Sequence, residues 1–158
     1  MAIFEPERLP LHSPEHVVAA RQAVRRRAVE LGFSLVDQTK IITAASELAR
    51  NAIQHGGGGE MAIEVLADAG RPGLRLSFCD RGPGIADLAR AMTDGVSTAG
   101  GLGLGLSGAR RLSHEFDIAS TPGQGTRVVS VRWKRTPPIT PSPSMSRDSR
   151  APHEPSHV

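Results

Sequence analysis

Cysteine occurs once in this chain, at Cys79, which rules out an internal disulfide and any zinc cage built from cysteines. Tyrosine is absent and aromatics make up 3% of residues, so there is no stacking platform for nucleic-acid bases. Lysine is nearly missing: of 19 cationic residues only Lys40 and Lys134 are lysines. The isoelectric point near 10 comes from arginines spread along the chain, and the formal net charge is only +3. A nucleic-acid partner is therefore not expected. No apolar run approaches the roughly 18 residues that cross a bilayer, and no membrane association is expected. The N-terminus lacks a basic stretch followed by an apolar one, so no signal peptide is read and the expected compartment is the cytoplasm.

What is present fits one modest core. The chain has 158 residues, of which 39% are hydrophobic. Composition divides it near residue 135. Residues 136–158 hold half of the 12 prolines, are rich in serine and show no apolar pattern. They read as a disordered tail, either a docking segment or a dispensable extension. Residues 1–135 read as the globular domain.

Within that domain, Ser13-Pro14-Glu15 is a helix start, with a hydroxyl cap and proline in the first turn. Val17, Ala20, Val24, Ala28 and Leu31 follow at helical spacing, and Gly32 stops the helix. Arg25, Arg26 and Arg27 lie largely off that stripe. Ser34 to Asp37 is a second capping signal. The next helix carries Val36, Ile41, Ala44, Ala45, Leu48 and Ala52 inward and ends at Gly56–Gly59. Residues 61–67 and 74–80 read as strands joined by a turn at 68–73. A glycine-rich stretch at 95–105 leads into a helix ending near Glu115. Residues 116–120 and 126–133 are two more strands around a turn at 121–125. The expected fold is an α/β two-layer sandwich: a mixed, largely antiparallel sheet with helices on one face.

Three motifs carry the chemistry. The first is Glu47-Leu-Ala-Arg-Asn51-Ala-Ile-Gln-His55. Four-residue steps on a helix rotate by only about 40°, so Glu47, Asn51 and His55 project from one side. Asn51 offers a neutral oxygen suited to a magnesium ion whose other ligands are phosphate and water. Glu47, one turn earlier, is a candidate general base for an attacking hydroxyl. His55 either caps helix carbonyls or touches phosphate.

The second motif is Asp80-Arg-Gly82-Pro-Gly84-Ile85. Asp80 ends a strand and shares a face with Leu74, Leu76 and Phe78, so a donor is needed there. Gly82 and Gly84 permit tight turns and close approach of a ligand to the backbone. The neighbouring Cys79 reads as a packing residue. The third motif is Gly100-Gly101-Leu102-Gly103-Leu104-Gly105-Leu106, opening a helix. Its amides are free to surround phosphate, and its leucines give an apolar side able to exclude water. It is neither a Walker A loop nor a Rossmann fingerprint. Arg110 and Arg111 follow, as solvated helix charge or as contacts to phosphate or protein.

In order and spacing these motifs resemble the GHKL superfamily of ATPases and kinases. Within it, the chain resembles the small anti-sigma-type serine/threonine kinases, on the side of the RsbT-like switch kinases. Thr43 to Asn51 and Asp94 to Phe116 carry that resemblance most specifically, and it spans roughly residues 13–132. It implies a Bergerat ATP-binding fold with ATP and Mg2+ bound. It implies that Asp80 accepts the adenine amino group and that Thr126 supports Asp80 through hydrogen bonding. It also implies γ-phosphoryl transfer to Ser or Thr of a STAS-domain antagonist protein, after which the kinase activates a serine phosphatase regulator. The alternative is an RsbW-like anti-sigma kinase that binds a sigma factor directly. The Pro/Ser tail lies outside the core family pattern.

Overall fold

The computed structural model describes residues 5–93 and 105–135. The elements run β1 (Glu7–Leu11), α1 (Pro14–Glu30), α2 (Leu35–Gln54), β2 (Gly59–Asp68), β3 (Arg71–Asp80), α3 (Leu88–Ala91), α4 (Gly105–Arg111), β4 (Glu115–Thr121) and β5 (Gly125–Trp133). The strands form one sheet in the order β1-β2-β3-β5-β4. All four pairings are antiparallel. The α/β sandwich expected from the sequence is present, and no parallel pairing occurs among the described residues.

The alternation of side chains explains the two layers. Met61, Ile63 and Val65 of β2 stand opposite Phe78, Leu76 and Leu74 of β3. All six are buried, and they meet Ala44, Ala45, Leu48, Ala49 and Ala52 from α2 in one core. Small residues along α2 let that helix approach both the sheet and α1, which contributes Val17, Ala20, Val24 and Ala28. The other sheet face is polar. It carries the Arg8–Glu60 pair at 2.8 Å and the Glu64–Arg75 pair at 2.6 Å.

Both long helices begin where the caps predict. Ser34 accepts a bond from the Asp37 amide at 3.1 Å. Ser13 is the N-cap residue of α1 but makes no side-chain cap bond. Three further details depart from the sequence reading. Val36 is 64% exposed, because the inward position in the first turn of α2 belongs to Asp37. Cys79 is exposed rather than packed, since it lies on the polar sheet face between Phe78 and Asp80. The helix after the glycine-rich stretch closes at Arg111, and chain reversal brings Glu115 into β4.

Candidate active site

The chain just past α2 meets the end of β3 at Asp80. Asp80 is the last residue of β3 and is half-buried. Its Oδ1 accepts from the Gly82 amide at 3.0 Å and from the Thr126 amide at 3.3 Å. No described residue donates to its Oδ2. The carboxylate leans toward the helix layer, as its register with Leu74, Leu76 and Phe78 predicts. A β-carbon placed on Gly56, just past α2, would stand 2.2 Å from the Asp80 Cγ. A β-carbon on Gly82 would stand 2.6 Å from the Gly56 backbone, and one on Gly125 would run into the Asp80 carbonyl. Glycine at 56 is therefore a requirement of contact, beyond the helix stop that its sequence position suggests.

Glu47 and Asn51 occupy successive turns of α2, the helix that runs into this corner. The Glu47 side chain is 14% exposed, and its Oε1 accepts from Arg50 Nη1 at 3.0 Å. Asn51 is half-buried, and its carbonyl accepts from the amides of His55 and Gly56 at 2.9 and 3.3 Å. His55 is the C-cap residue of α2 and is exposed. Among the described residues no cluster of three His, Cys, Asp or Glu forms a preformed metal cage.

Gly84 turns at φ 76° beside the β4–β5 hairpin. Gly105 opens α4, and Leu106 packs against the core from a half-buried position. Gly101, Leu102, Gly103 and Leu104 lie outside the described residues. Arg110 and Arg111 are exposed in the last turn of α4, where cations complement the helix dipole.

Thr126 meets Asp80 through its backbone amide, while its hydroxyl lies 2.9 Å from Ser120 Oγ. Ser120 is a residue that motif reading misses. Its Oγ also accepts from the Ile85 amide at 2.6 Å, which joins β4 to the loop after Asp80. One serine at a strand end gives no sequence signal. Its partners are 35 and 6 positions away and become visible only after folding.

A sheet backed by helices, with a recessed strand-end carboxylate and an Asn-bearing helix beside it, defines a class: ATP-binding proteins of the GHKL kind. Residues 36–137 match the family described as histidine kinase-, DNA gyrase B-, and HSP90-like ATPase, and the chain belongs to that family. It is 50% identical over 119 residues to the serine/threonine-protein kinase RsbT of Bacillus subtilis, covering 75% of this chain and 90% of that protein. With that likeness and an ATPase domain, the chain is a protein serine/threonine kinase. It is also 30% identical over 118 residues to the anti-sigma F factor of a Thermoanaerobacter species, covering 72% of this chain and 82% of that protein. A crystal structure of the RsbU and RsbW domains of a Mycobacterium tuberculosis protein shares the fold. Its TM-score is 0.57 at 24% identity, with 84% of this chain and 34% of that one covered.

Proposed function

We propose that the chain transfers the γ-phosphoryl group of ATP to a Ser or Thr hydroxyl of a STAS-domain antagonist protein. The observation that carries this reading is the Asp80 corner. One carboxylate oxygen accepts from two backbone amides, and no described residue donates to the other, which leaves it to accept from a ligand donor in this reading. The amino group of adenine is such a donor, whereas guanine presents a carbonyl oxygen at the same position. The glycines packed around the carboxylate suit a flat base close to backbone. From there α2 leads back along the nucleotide to Asn51 and then Glu47.

In this reading the Asn51 side-chain oxygen would hold a magnesium ion. When bound, such an ion would offset charge on the phosphates. Glu47 takes the proton from the substrate hydroxyl as its oxygen bonds to the γ-phosphorus. The bond to the β–γ bridging oxygen breaks, and ADP leaves. Gly105 and Leu106 supply amides to the phosphates, with Gly101, Leu102, Gly103 and Leu104 of the same motif as proposed nucleotide contacts. His55 stands where the helix meets the nucleotide. The released kinase then binds and activates a serine phosphatase regulator in bacterial stress or sigma-factor signalling in the cytoplasm.

The test is transfer from γ-labelled ATP with Mg2+ to purified STAS-domain proteins of the same genome. Label on a Ser or Thr that disappears with Glu47→Ala supports the reading. ATP binding without any transfer overturns it. A second reading, direct binding of a sigma factor, draws on the anti-sigma F relatives at about 30% identity. Capture of a sigma factor by the nucleotide-bound chain, without STAS labelling, would favour it.

A further inference from the structure

We infer that Ser120 is a positioning residue for base recognition: its hydroxyl fixes the loop after Asp80 and thereby sets affinity for the nucleotide. The inference rests on Asp80 as the base-binding carboxylate.

Asp80 Oδ1 is held from two sides. One amide comes from Gly82 in the loop and the other from Thr126 at the start of β5. Ser120 bonds to both of those segments. Its Oγ accepts from the Ile85 amide at 2.6 Å, lies 2.9 Å from Thr126 Oγ1, and lies 3.3 Å from the Gly125 carbonyl oxygen. A serine hydroxyl has one hydrogen and two lone pairs. The Ile85 N–H takes one lone pair. If the Ser120 proton goes to Gly125, the Thr126 hydroxyl donates into the second lone pair. If it goes to Thr126, the Thr126 proton remains available to a ligand. In either arrangement a single side chain ties the loop to the strand across the carboxylate.

The loop has a second tie, from the Gly123 amide to the Pro83 carbonyl at 2.7 Å. That bond is backbone to backbone and survives any change at Ser120. Removing the hydroxyl therefore loosens one end of the loop without releasing it. The Ile85 N–H, on a half-buried residue, loses its acceptor, and a donor left unsatisfied is costly. Gly82, three positions back along the same loop, then holds Asp80 less firmly. The damage falls at the base end of the site, away from the transferred phosphoryl group. Binding should weaken while the chemical step stays the same.

The experiment measures ATP and GTP binding to the full chain by displacement of a fluorescent ATP analogue, with KM and kcat for transfer. The variants are Ser120→Ala, Ser120→Thr and Ser120→Cys. The expected result for alanine is ATP affinity about tenfold weaker and KM raised by a similar factor, with kcat within about twofold. Threonine, which keeps a hydroxyl, should recover most of the affinity. Nucleotide-free melting confirms that each variant is folded. Should alanine fail to fold, cysteine, of similar size but a weak acceptor, carries the same expectation. Unchanged ATP affinity, equal loss in alanine and threonine, or a fall in kcat at constant KM would each overturn the role of Ser120. A wild-type chain that binds no ATP would instead overturn the reading of Asp80.

Discussion

Around Asp80 the packing leaves no space for an added methyl group, and this makes Gly56 a sharp probe of the site. In Gly56→Ala the new carbon would lie 2.2 Å from Asp80 Cγ. Either the carboxylate moves off the Gly82 and Thr126 amides or the end of α2 shifts. ATP affinity should fall by at least about tenfold, with a stability cost of about 1–3 kcal/mol. Titration calorimetry with ATP and chemical denaturation check the two halves. Glu47→Gln is the complementary test. It preserves shape and removes the proton acceptor, so transfer should drop by about 100-fold or more while ATP binding stays within about threefold. Rapid-quench transfer and equilibrium binding separate those outcomes. The placement of Glu47 and Asn51 on one helix and of Asp80 at a strand end is legible in the sequence, because helical spacing and strand ends are local patterns. In the sequence Gly56 is only a helix stop, because a glycine's neighbours in space leave no trace in a linear chain. Ser120 was missed for the same reason.

Elements show a similar division between local and distant information. Helix α2 was readable from its cap and its stripe of Ile41, Ala44, Leu48 and Ala52. Strand β1 was not, because its sequence Glu-Arg-Leu-Pro-Leu mixes charge with proline. It exists because β2 offers an edge, and Pro10 is tolerated on an edge strand. The inward turn of Asp37 was equally hidden, since its partner Arg132 lies 95 positions away. That pair, 2.9 Å apart and buried, joins the start of α2 to β5. Arg132 also donates to the Leu112 carbonyl at 2.7 Å, which anchors the chain just after α4. Asp37→Ala leaves a buried guanidinium without its counter-charge and should cost about 3–5 kcal/mol in urea unfolding. The Asp37→Leu/Arg132→Met double variant should lose less than the sum of its single variants, because no isolated charge remains buried.

On the scale of the whole molecule, one sheet carries both the Asp80 corner and the Asp37–Arg132 pair that ties α2 to β5, so acid should weaken the fold in two stages. His114 acts first. Burial, then the positive charges of Arg132 and Arg135, push its pKa below the usual histidine value. Its Nδ1 accepts from the Trp133 amide at 2.8 Å, a bond that protonation at that nitrogen removes. With the folded pKa below the unfolded value of about 6.5, the unfolded state binds more protons in between. The His114 contribution is therefore full above that pH and falls as the pH drops through the folded value. The carboxylates act next. Burial raises the pKa of Asp37, but the hydrogen bond and charge of Arg132 outweigh it, and the net shift is downward. Glu64 is lowered first by its hydrogen bond to Arg75. Their stabilisation is present above the unfolded values of about 3.9 and 4.3 and disappears as pH falls through the lower folded values. Urea midpoints measured from pH 8 to pH 2 should decline gently through the histidine range and steeply below about pH 4. His114→Asn should flatten the upper limb alone. Asp37→Asn should lower stability at neutral pH and shrink the acid limb. A parallel curve for Asp37→Asn would show that the buried pair does not govern acid unfolding.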